Sequence, residues 1–273
     1  MEQPGENRVK LVSYHNHTTW SDGKATLAEM IEGAKKAGVE EFGISDHFAL
    51  APGNPEYPWS MPPDSLDDYV AQIQQAMKAA NGLTIRLGLE VDYFPETIEQ
   101  IKARLAPYTF DYLITSVHFI NDFPIDLNSE PWEGLSPDAR NQIWRSYWKH
   151  ISAAADTGYF DIIGHFDLPK KFNFYPSTDL TQDAMAALDS VAAADMAIEI
   201  NCSGWEKPVC EAYPSLFYLK EANRRKIPLI ISADAHAPDE ITRNFDRARR
   251  LALDAGYSEL VRFDRRRRFP YPI

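Results

Sequence analysis

The segment VKLVSYHNHTTWSDGKATLAEMIEGAKKAG, residues 9–38, contains the unit from which the whole chain is built. Its first part, residues 9–14, is a short apolar run that predicts a buried β-strand. Residues 26–37 predict an amphipathic helix, because Glu29 stands three places after Thr26, which is the spacing of an N-terminal capping box. The segment is therefore a strand, a polar loop and a helix.

This unit recurs along the chain, and seven such units are predicted. Strands are expected at residues 9–14, 41–45, 84–91, 110–117, 159–163, 196–200 and 228–232. Helices are expected at residues 26–37, 64–80, 96–105, 137–155, 181–194, 214–225 and 240–255. Repeated units of this kind indicate an α/β fold with parallel strands and helices outside them. A closed seven-unit barrel and an open doubly wound sheet both satisfy this order.

Two connections, residues 48–63 and 119–136, are long for a compact domain. Both contain proline, tryptophan and phenylalanine, so we expect ordered loops that cover a functional site. No glycine- or serine-rich linker separates the units. We therefore expect residues 1–273 to form a single domain.

The composition limits the partners that the protein can have. Aspartate and glutamate total 40 against 28 lysines and arginines, which gives a formal net charge of −12. An acidic surface opposes binding to nucleic acid and anionic membranes, and no apolar run approaches the roughly 18 residues of a membrane helix. The basic run at residues 265–268 is expected to be solvated. We predict a cytoplasmic protein with neither partner, and the oligomeric state stays open.

The histidines share one topological position. The chain has seven histidines, and six of them follow or close a predicted strand: His15, His17, His47, His118, His165 and His236. Glu90 and Asp234 occupy the same position. In a parallel barrel the carboxyl ends of all strands meet at one mouth, where the chemistry of such folds lies. We therefore expect these side chains to be neighbours, whereas His150 lies in mid-helix and receives no role.

The residue types favour a metal site. His15 and His17 are two residues apart, so on an extended segment their side chains point the same way and can hold one ion. Imidazole and carboxylate ligands suit Zn, Mn or Fe. Because the set contains no cysteine, an open catalytic site is favoured over a structural zinc site. The number of ligands predicts two to three divalent metal ions, with a carboxylate bridging between them.

The ordered motifs resemble those of the polymerase and histidinol phosphatase (PHP) family. They are His15-Asn16-His17, Ser21-Asp22-Gly23, Ser45-Asp46-His47, Gly88-Leu89-Glu90, Ser116-Val117-His118, Gly164-His165, Glu199-Ile200-Asn201 and Asp234-Ala235-His236. The resemblance covers residues 14–249 and implies a distorted (β/α)7 TIM-like barrel. Within the family, the stretches at residues 164–172 and 199–215 are similar to those of histidinol-phosphate phosphatases.

The resemblance also implies how the ligands divide among the ions. The first ion would be held by His15, His17, Glu90 and Asp234. Glu90 would bridge to a second ion, held by His118 and His165. A third ion would take Asp22, His47 and His236, although Ser21-Asp22-Gly23 is also a good tight turn.

The expected chemistry is hydrolysis of a phosphate monoester, and the resemblance implies L-histidinol phosphate as the substrate. Two ions can hold a hydroxide that attacks phosphorus, and they can neutralise the phosphoryl charge. Asp234 or His236 could pass a proton to the leaving alkoxide, and Glu90 would bridge the ions. An acidic protein needs local cations for the phosphate. The candidates are Lys170, Lys171, Lys207 and Arg243, with plain solvation at the surface as the alternative.

Two other functions stay open. The same motifs would serve a PHP phosphoesterase that acts on nucleotides or other small phosphates. A non-catalytic metal-binding module is the second alternative, and loss of several ligands would be its mark. Trp205 and Glu206 follow the Ser-Gly of the sixth unit, where the family often has a basic residue, so the substrate is less defined than the metal chemistry. Asp92 or Glu206 could meet an ammonium group of the substrate.

Overall fold

The computed structural model describes residues 10–53 and 57–273; Val9 of the first predicted strand and residues 54–56 of the first long connection lie outside them. The described strands are β1 Val12–Ser13, β2 Glu41–Ile44, β3 His47–Phe48, β4 Thr84–Leu87, β5 Glu90–Asp92, β6 Ile114–Ser116, β7 Phe119–Ile120, β8 Phe123–Pro124, β9 Ile162–Ile163, β10 Ala197–Asn201, β11 Leu229–Ser232, β12 Glu259–Asp264 and β13 Arg267–Pro272. The described helices are α1 Leu27–Lys36, α2 Leu66–Ala79, α3 Ile98–Leu105, α4 Glu130–Glu133, α5 Pro137–Asp156, α6 Thr181–Ala193, α7 Leu216–Arg224 and α8 Phe245–Asp254.

The strands form parallel sheets, as the repeated units predict. One sheet has the order β1-β2-β4, and a second has the order β11-β10-β9-β6-β5-β3. The pairings within both sheets are parallel, with Glu41 opposite Thr84 in the first and Glu90 opposite Ile114 in the second. Antiparallel hairpins, β7-β8 and β12-β13, accompany them. The fold is therefore α/β and is built on parallel strands.

The second and third predicted strands are interrupted, so that β2 gives way to β3 and β4 gives way to β5. Both interruptions lie beside the ring of Tyr112, which packs against Gly43 and Gly88 so closely that a Cβ at either position would overlap it. The Tyr112 hydroxyl donates to the carbonyl of Tyr14. The second segment of each strand begins at a site residue, His47 in β3 and Glu90 in β5.

The main hydrophobic core extends from Val12 in β1 to Tyr271 in β13. The helices contribute one face each, as α1 illustrates with buried Leu27, Met30 and Ala34. The predicted capping box at its start is confirmed, because Thr26 and Glu29 each accept a hydrogen bond from the other's backbone N–H. Local sequence and packing therefore agree for this helix.

The C-terminal hairpin β12-β13 is not expected from the strand-and-helix pattern. Within residues 265–268, Arg265 and Arg267 are exposed, as expected, whereas Arg266 and Arg268 are partly buried in ion pairs. Arg266 pairs with Asp161, and Arg268 Nη2 lies 2.7 Å from Asp195 Oδ1. Both acidic residues stand just before a strand of the larger sheet. The hairpin therefore covers the amino ends of the strands, opposite the histidines.

The last helix, α8, begins at Phe245 rather than at residue 240. Pro238–Glu240 form a separate 3-10 turn, and Asn244 has a left-handed φ of 59° ahead of the helix. The second long connection is ordered, as expected, and contains β7, β8 and α4. Within residues 10–53 and 57–273, every helix is too short or too polar to span a bilayer.

Candidate metal centre

The site lies where the first and the last strands of the parallel sheets come together. The backbone N–H of His17 donates to Ala235 O over 2.8 Å, and the N–H of Ala235 donates to His15 O over 3.2 Å. This pairing brings the His15-Asn16-His17 motif beside the Asp234-Ala235-His236 motif. The side chains predicted as ligands all lie in this cluster: His15, His17, Asp22, His47, Glu90, His118, His165, Asp234 and His236.

The first group consists of His15, His17 and Asp234, whose ligand atoms lie within 4.8 Å of one another. Asp234 Oδ1 is 3.2 Å from His17 Nε2 and 3.8 Å from His15 Nε2. Glu90 Oε2 approaches the same two nitrogens, at 3.0 Å from His15 Nε2 and 3.6 Å from His17 Nε2. These four side chains form the set that the resemblance assigns to a first ion.

The second group shares Glu90 with the first. Glu90 Oε1 lies 3.1 Å from His165 Nε2 and 3.7 Å from His118 Nε2, and the two Nε2 atoms are 3.2 Å apart. Ser116 Oγ donates to the same carboxylate oxygen. Glu90 therefore presents one oxygen to each group, which is what a bridging ligand must do.

The third group, His17, Asp22, His47 and His236, is more open to solvent. Asp22 Oδ2 lies 3.2 Å from His236 Nε2, and Asp22 Oδ1 lies 3.8 Å from His47 Nε2. The Asp22 side chain is 34% exposed, against 1% for Glu90. Asp22 also stands in the predicted turn, because Gly23 N–H donates to Thr18 O over 2.9 Å. Both interpretations of Asp22 are therefore compatible with its position.

Several buried atoms of these groups fit metal ligands better than hydrogen-bonding groups. His15 Nε2, both ring nitrogens of His17, His47 Nδ1 and Glu90 Oε2 have no hydrogen-bond partner among the described residues. Buried polar atoms in folded proteins are nearly always hydrogen-bonded, yet these atoms face one another, or the carboxylates of Asp22 and Asp234, at 2.9–3.8 Å. Divalent ions would satisfy these lone pairs together, and a set of nitrogen and oxygen donors suits Zn, Mn or Fe.

A layer of buried carboxylates holds the histidine rings, and the sequence did not reveal their role. Glu199 Oε2 lies 3.0 Å from His15 Nδ1, and Glu199 Oε1 accepts from the N–H of His165 over 2.7 Å. Asp92 Oδ1 lies 2.7 Å from His118 Nδ1. Such partners place the proton on Nδ1 and leave the Nε2 lone pair free for a metal ion. A signal existed for Asp92, because it stands two residues after Glu90 and so faces the same side of the strand.

Charges within the cluster oppose the effect of burial. Burial raises the pKa of Glu90, but the charges of His47 and His15 outweigh burial and hold it well below its usual range. Burial lowers the pKa of His47, but Glu90 raises it to about 9; for His118, Asp92 and Asp126 raise the pKa to about 10 in the same way. By contrast, burial, with the nearby His236 and His47, lowers the pKa of His17 to about 4. Without an ion, the His47 and His118 rings are therefore protonated at neutral pH, whereas the His17 ring is neutral.

A cavity of about 560 Å³ opens onto all three groups. One of its walls is aromatic: the Tyr57 ring stacks on Trp59 and Phe119, at centroid distances of 4.9 and 5.3 Å. Lys171 and Lys207 also line the cavity. Lys171 Nζ donates to Asp126 O over 2.6 Å, which holds its ammonium group at the wall.

The other two predicted phosphate-binding cations point elsewhere. Lys170 Nζ is buried and donates to Glu211 Oε2 and Ala212 O, both over 2.7 Å. The Arg243 guanidinium donates to the carbonyls of Ala233 and Asp234. Neither side chain is among the residues that line the cavity, because each is committed to neighbours within the protein.

The two residues predicted to meet a substrate ammonium group also have partners within the protein. Asp92 holds His118, as described above. Glu206 Oε1 accepts from Asn244 Nδ2 over 3.0 Å, and Glu206 is not among the residues that line the cavity.

Known proteins are similar to this chain in sequence and in fold. A Deinococcus radiodurans protein named "Probable histidinol-phosphatase" is 35% identical over 248 residues, which cover 90% of this chain and 94% of that protein. The "Histidinol-phosphatase" of Bacillus subtilis is 28% identical over 251 residues, or 83% of this chain and 94% of that protein. The histidinol phosphate phosphatase structure from Lactococcus lactis, complexed with zinc, L-histidinol and phosphate, has a TM-score of 0.79 at 21% identity; the match covers 96% of this chain and 99% of that one.

The family assignment rests on two independent matches. The PHP domain profile matches residues 13–203, well over half of the chain, and this range includes the motifs from His15-Asn16-His17 to Glu199-Ile200-Asn201. The Deinococcus relative extends the similarity over nearly the whole chain. With these matches and the clustering of the ligand residues, the chain belongs to the PHP domain family.

Proposed function

We propose that this protein is a metal-dependent phosphomonoesterase that hydrolyses L-histidinol phosphate to L-histidinol and phosphate, a step of histidine biosynthesis. The observation that carries the proposal is Glu90, whose two oxygens face two histidine groups at the floor of a cavity with lysines in its wall. The substrate is inferred from the relatives. They are named histidinol-phosphatases, and the match to this chain covers most of their length.

The proposed ligands divide as the family resemblance implies. His15, His17, Glu90 and Asp234 would hold one ion, and Glu90 with His118 and His165 a second. Asp22, His47 and His236 would hold a third. The ions are Zn, Mn or Fe, which suit imidazole and carboxylate. When bound, such ions neutralise phosphoryl charge and make a strong nucleophile available at neutral pH.

The chain's own residues then bind the substrate and move protons. Lys171 and Lys207 lie in the cavity wall and would bind the phosphate oxygens as cations. His236 Nδ1 faces Asp234 O at 3.1 Å, so Nδ1 carries the proton of the neutral ring. His236 is also the most exposed histidine of the third group, at 25%. Burial lowers the pKa of His236, but the hydrogen bond with Asp22 and the charge of Asp234 raise it overall. With no ion on its Nε2, the protonated ring would give its Nε2 proton to the leaving alkoxide and become the neutral Nδ1–H form, while Asp234 O orients it.

The organic part of the substrate would lie against the aromatic wall. Tyr57, Trp59 and Phe119 form a stacked apolar surface beside His47 and His118. A flat imidazole ring fits such a surface, and a cation is attracted to the faces of aromatic rings. Asp122 in the same cavity supplies negative charge for the substrate's ammonium group, whereas the Asp126 carboxylate is paired with Lys171 at 3.1 Å.

We further propose that residues 1–273 form one domain in which the seven strands close into a distorted (β/α)7 barrel. Asn16 and Ala235 form a parallel bridge between the first and last strands. The two sheets also meet at the interrupted strands, where Glu90 N–H donates to Asp46 O over 3.2 Å. These contacts support closure on both sides. The cytoplasmic location, the lack of a nucleic-acid partner and the oligomeric state stay predictions or open questions.

A substrate panel tests the proposed function. Phosphate release is measured from L-histidinol phosphate, a nucleoside monophosphate, glycerol phosphate and a phosphodiester, with wild type, His17→Ala and His150→Ala. His150 is the matched control, because it bonds Ser146 O within α5 and lies outside the cluster. We expect a clear preference for L-histidinol phosphate and loss of hydrolysis only in His17→Ala. A preference for the nucleotide would favour the broader phosphoesterase, and equal activity of His17→Ala and wild type would favour the non-catalytic module.

A further inference from the structure

The turn that carries Asp234 and His236 has a backbone conformation that needs support. Asp234 has a φ of 52°, in the left-handed region that residues with a Cβ seldom occupy. Such conformations persist when surrounding contacts determine them, and they occur often at functional sites.

Arg243 supplies the contacts on one side of the turn. Its Nε and Nη2 atoms donate to Ala233 O over 3.1 and 2.9 Å, and Nη2 also donates to Asp234 O over 2.8 Å. The guanidinium thus spans two successive carbonyls with its planar fork. The Arg243 side chain is 18% exposed, so these bonds are largely shielded from water.

Glu240 supplies the contacts on the other side. Its Oε2 accepts from the backbone N–H of His236 over 2.8 Å, and its Oε1 lies 3.5 Å from Arg243 Nη1. Arg243 therefore binds the turn through Ala233 O and Asp234 O, and Glu240 binds it after Asp234, through the backbone N–H of His236. Asp234 O also faces His236 Nδ1 at 3.1 Å, which sets the orientation of that ring.

We propose that Arg243 is a positioning residue, clamped by Glu240, that holds Asp234 and His236 where they can bind metal ions. This inference rests on the proposed function only in taking these two side chains as ligands. It replaces the phosphate-binding role predicted for Arg243 from the sequence. In that role the guanidinium would face the cavity, whereas its donors are directed at backbone carbonyls.

Cobalt binding tests the clamp without reference to hydrolysis. Metal-free wild type, Arg243→Ala, Arg243→Lys and Glu240→Ala are titrated with Co²⁺, and the visible absorption spectrum gives affinity and ligand geometry. Arg247→Ala is the matched control, because Arg247 is also an arginine of this region but stacks on Trp205, 4.4 Å from the ring centre. Circular dichroism of the metal-free proteins reports folding. The KM for L-histidinol phosphate and inhibition by inorganic phosphate are measured alongside.

We expect Arg243→Ala to bind Co²⁺ about 10–100-fold more weakly than wild type, as loss of a partner that orients ligands does elsewhere. Its saturated spectrum should differ from that of wild type, and added methylguanidinium should restore both affinity and spectrum. Arg243→Lys and Glu240→Ala should fall between, and they carry the test if Arg243→Ala does not fold. Arg247→Ala should match wild type.

Two results would overturn the clamp. Wild-type Co²⁺ affinity in Arg243→Ala, with a raised KM and weaker phosphate inhibition, would restore the phosphate-binding role. Equal weakening in Arg247→Ala would mean that general destabilisation, not positioning, is responsible. A wild-type protein that binds Co²⁺ but does not hydrolyse L-histidinol phosphate would refute the proposed function and leave the clamp intact.

Discussion

Glu90 Oε2 lies 3.0 Å from His15 Nε2, yet neither atom has a hydrogen-bond partner in the described part of the chain. The two side chains are 1% and 0% exposed, so water cannot satisfy them from outside. The two atoms thus approach closely without a well-formed hydrogen bond between them. A cation held by both atoms accounts for their approach.

Replacing Glu90 tests its bridging role. Glu90→Gln removes a charge and places an amide donor where an ion needs a lone pair. Metal content should fall, and kcat/KM for L-histidinol phosphate should decrease. Loss of a residue that only orients a ligand costs about 10–100-fold, and loss of a direct ligand should cost more. Elemental analysis and phosphate release measure the two effects. Glu96→Gln is the control, since Glu96 is exposed, and a fully loaded, active Glu90→Gln would contradict the assignment.

Glu199 should act on the metal through His15 and His165. In Glu199→Gln, one carboxylate oxygen that faces His15 Nδ1 or His165 N–H becomes an amide donor. Metal affinity should fall by about 10–100-fold, while the fold is retained. Competition with a chelator of known affinity measures this change. Unaltered affinity would mean that the histidine rings do not need this support.

Proton release should accompany metal binding. Carboxylates raise the pKa of His47 to about 9 and of His118 to about 10 in the metal-free site, in spite of burial. These rings are therefore protonated at pH 7, and an ion must displace the protons. Calorimetric titrations with Zn²⁺ in buffers of different ionisation enthalpy should show this release. Binding enthalpies that are the same in every buffer would argue against it.

The same shifts predict how stability depends on pH. A raised histidine pKa stabilises the folded state fully below the unfolded value of about 6.5, and this stabilisation disappears as pH rises through the folded value. The free energy of unfolding of metal-free protein should therefore decrease between about pH 7 and 10. The loaded protein should lack this slope, because ions replace the protons. Urea unfolding of both forms across this range decides the point.

The strand interruption at Gly88 should be sensitive to a single methyl group. In Gly88→Ala the added Cβ would overlap the buried Tyr112 ring. We expect the free energy of unfolding to fall by about 1–3 kcal/mol, as overpacking usually costs. Gly134→Ala is the control, because no atom of residues 10–53 or 57–273 lies within 4 Å of its added Cβ. A Gly88→Ala protein as stable as this control would show that the core adjusts freely.

The parallel α/β architecture and the ligand cluster could be predicted because both depend on simple periodicities. Strand-and-helix alternation determines that strands run parallel, and parallel strands bring residues at their carboxyl ends together. His15 and His165 are far apart in sequence, yet both had to lie at the same end of the sheets. No side-chain detail was needed for that conclusion.

The supporting residues could not be predicted in the same way. Arg243 was a candidate phosphate ligand because an acidic protein needs local cations, but the direction of its side chain depends on the 3-10 turn Pro238–Glu240 and on Asn244, which has a left-handed φ. The C-terminal hairpin was missed because its strands carry several charged residues and two prolines and, among the described strands, pair only with each other. These features follow from local backbone geometry and from partners distant in sequence.

The most direct test of the central claim is phosphate release from L-histidinol phosphate by chelator-treated protein, before and after addition of Zn²⁺ or Mn²⁺. We expect no measurable turnover without an ion and recovery on titration, with L-histidinol phosphate hydrolysed much faster than glycerol phosphate. Turnover that persists unchanged without metal, or recovered turnover with no preference between the two esters, would contradict that claim.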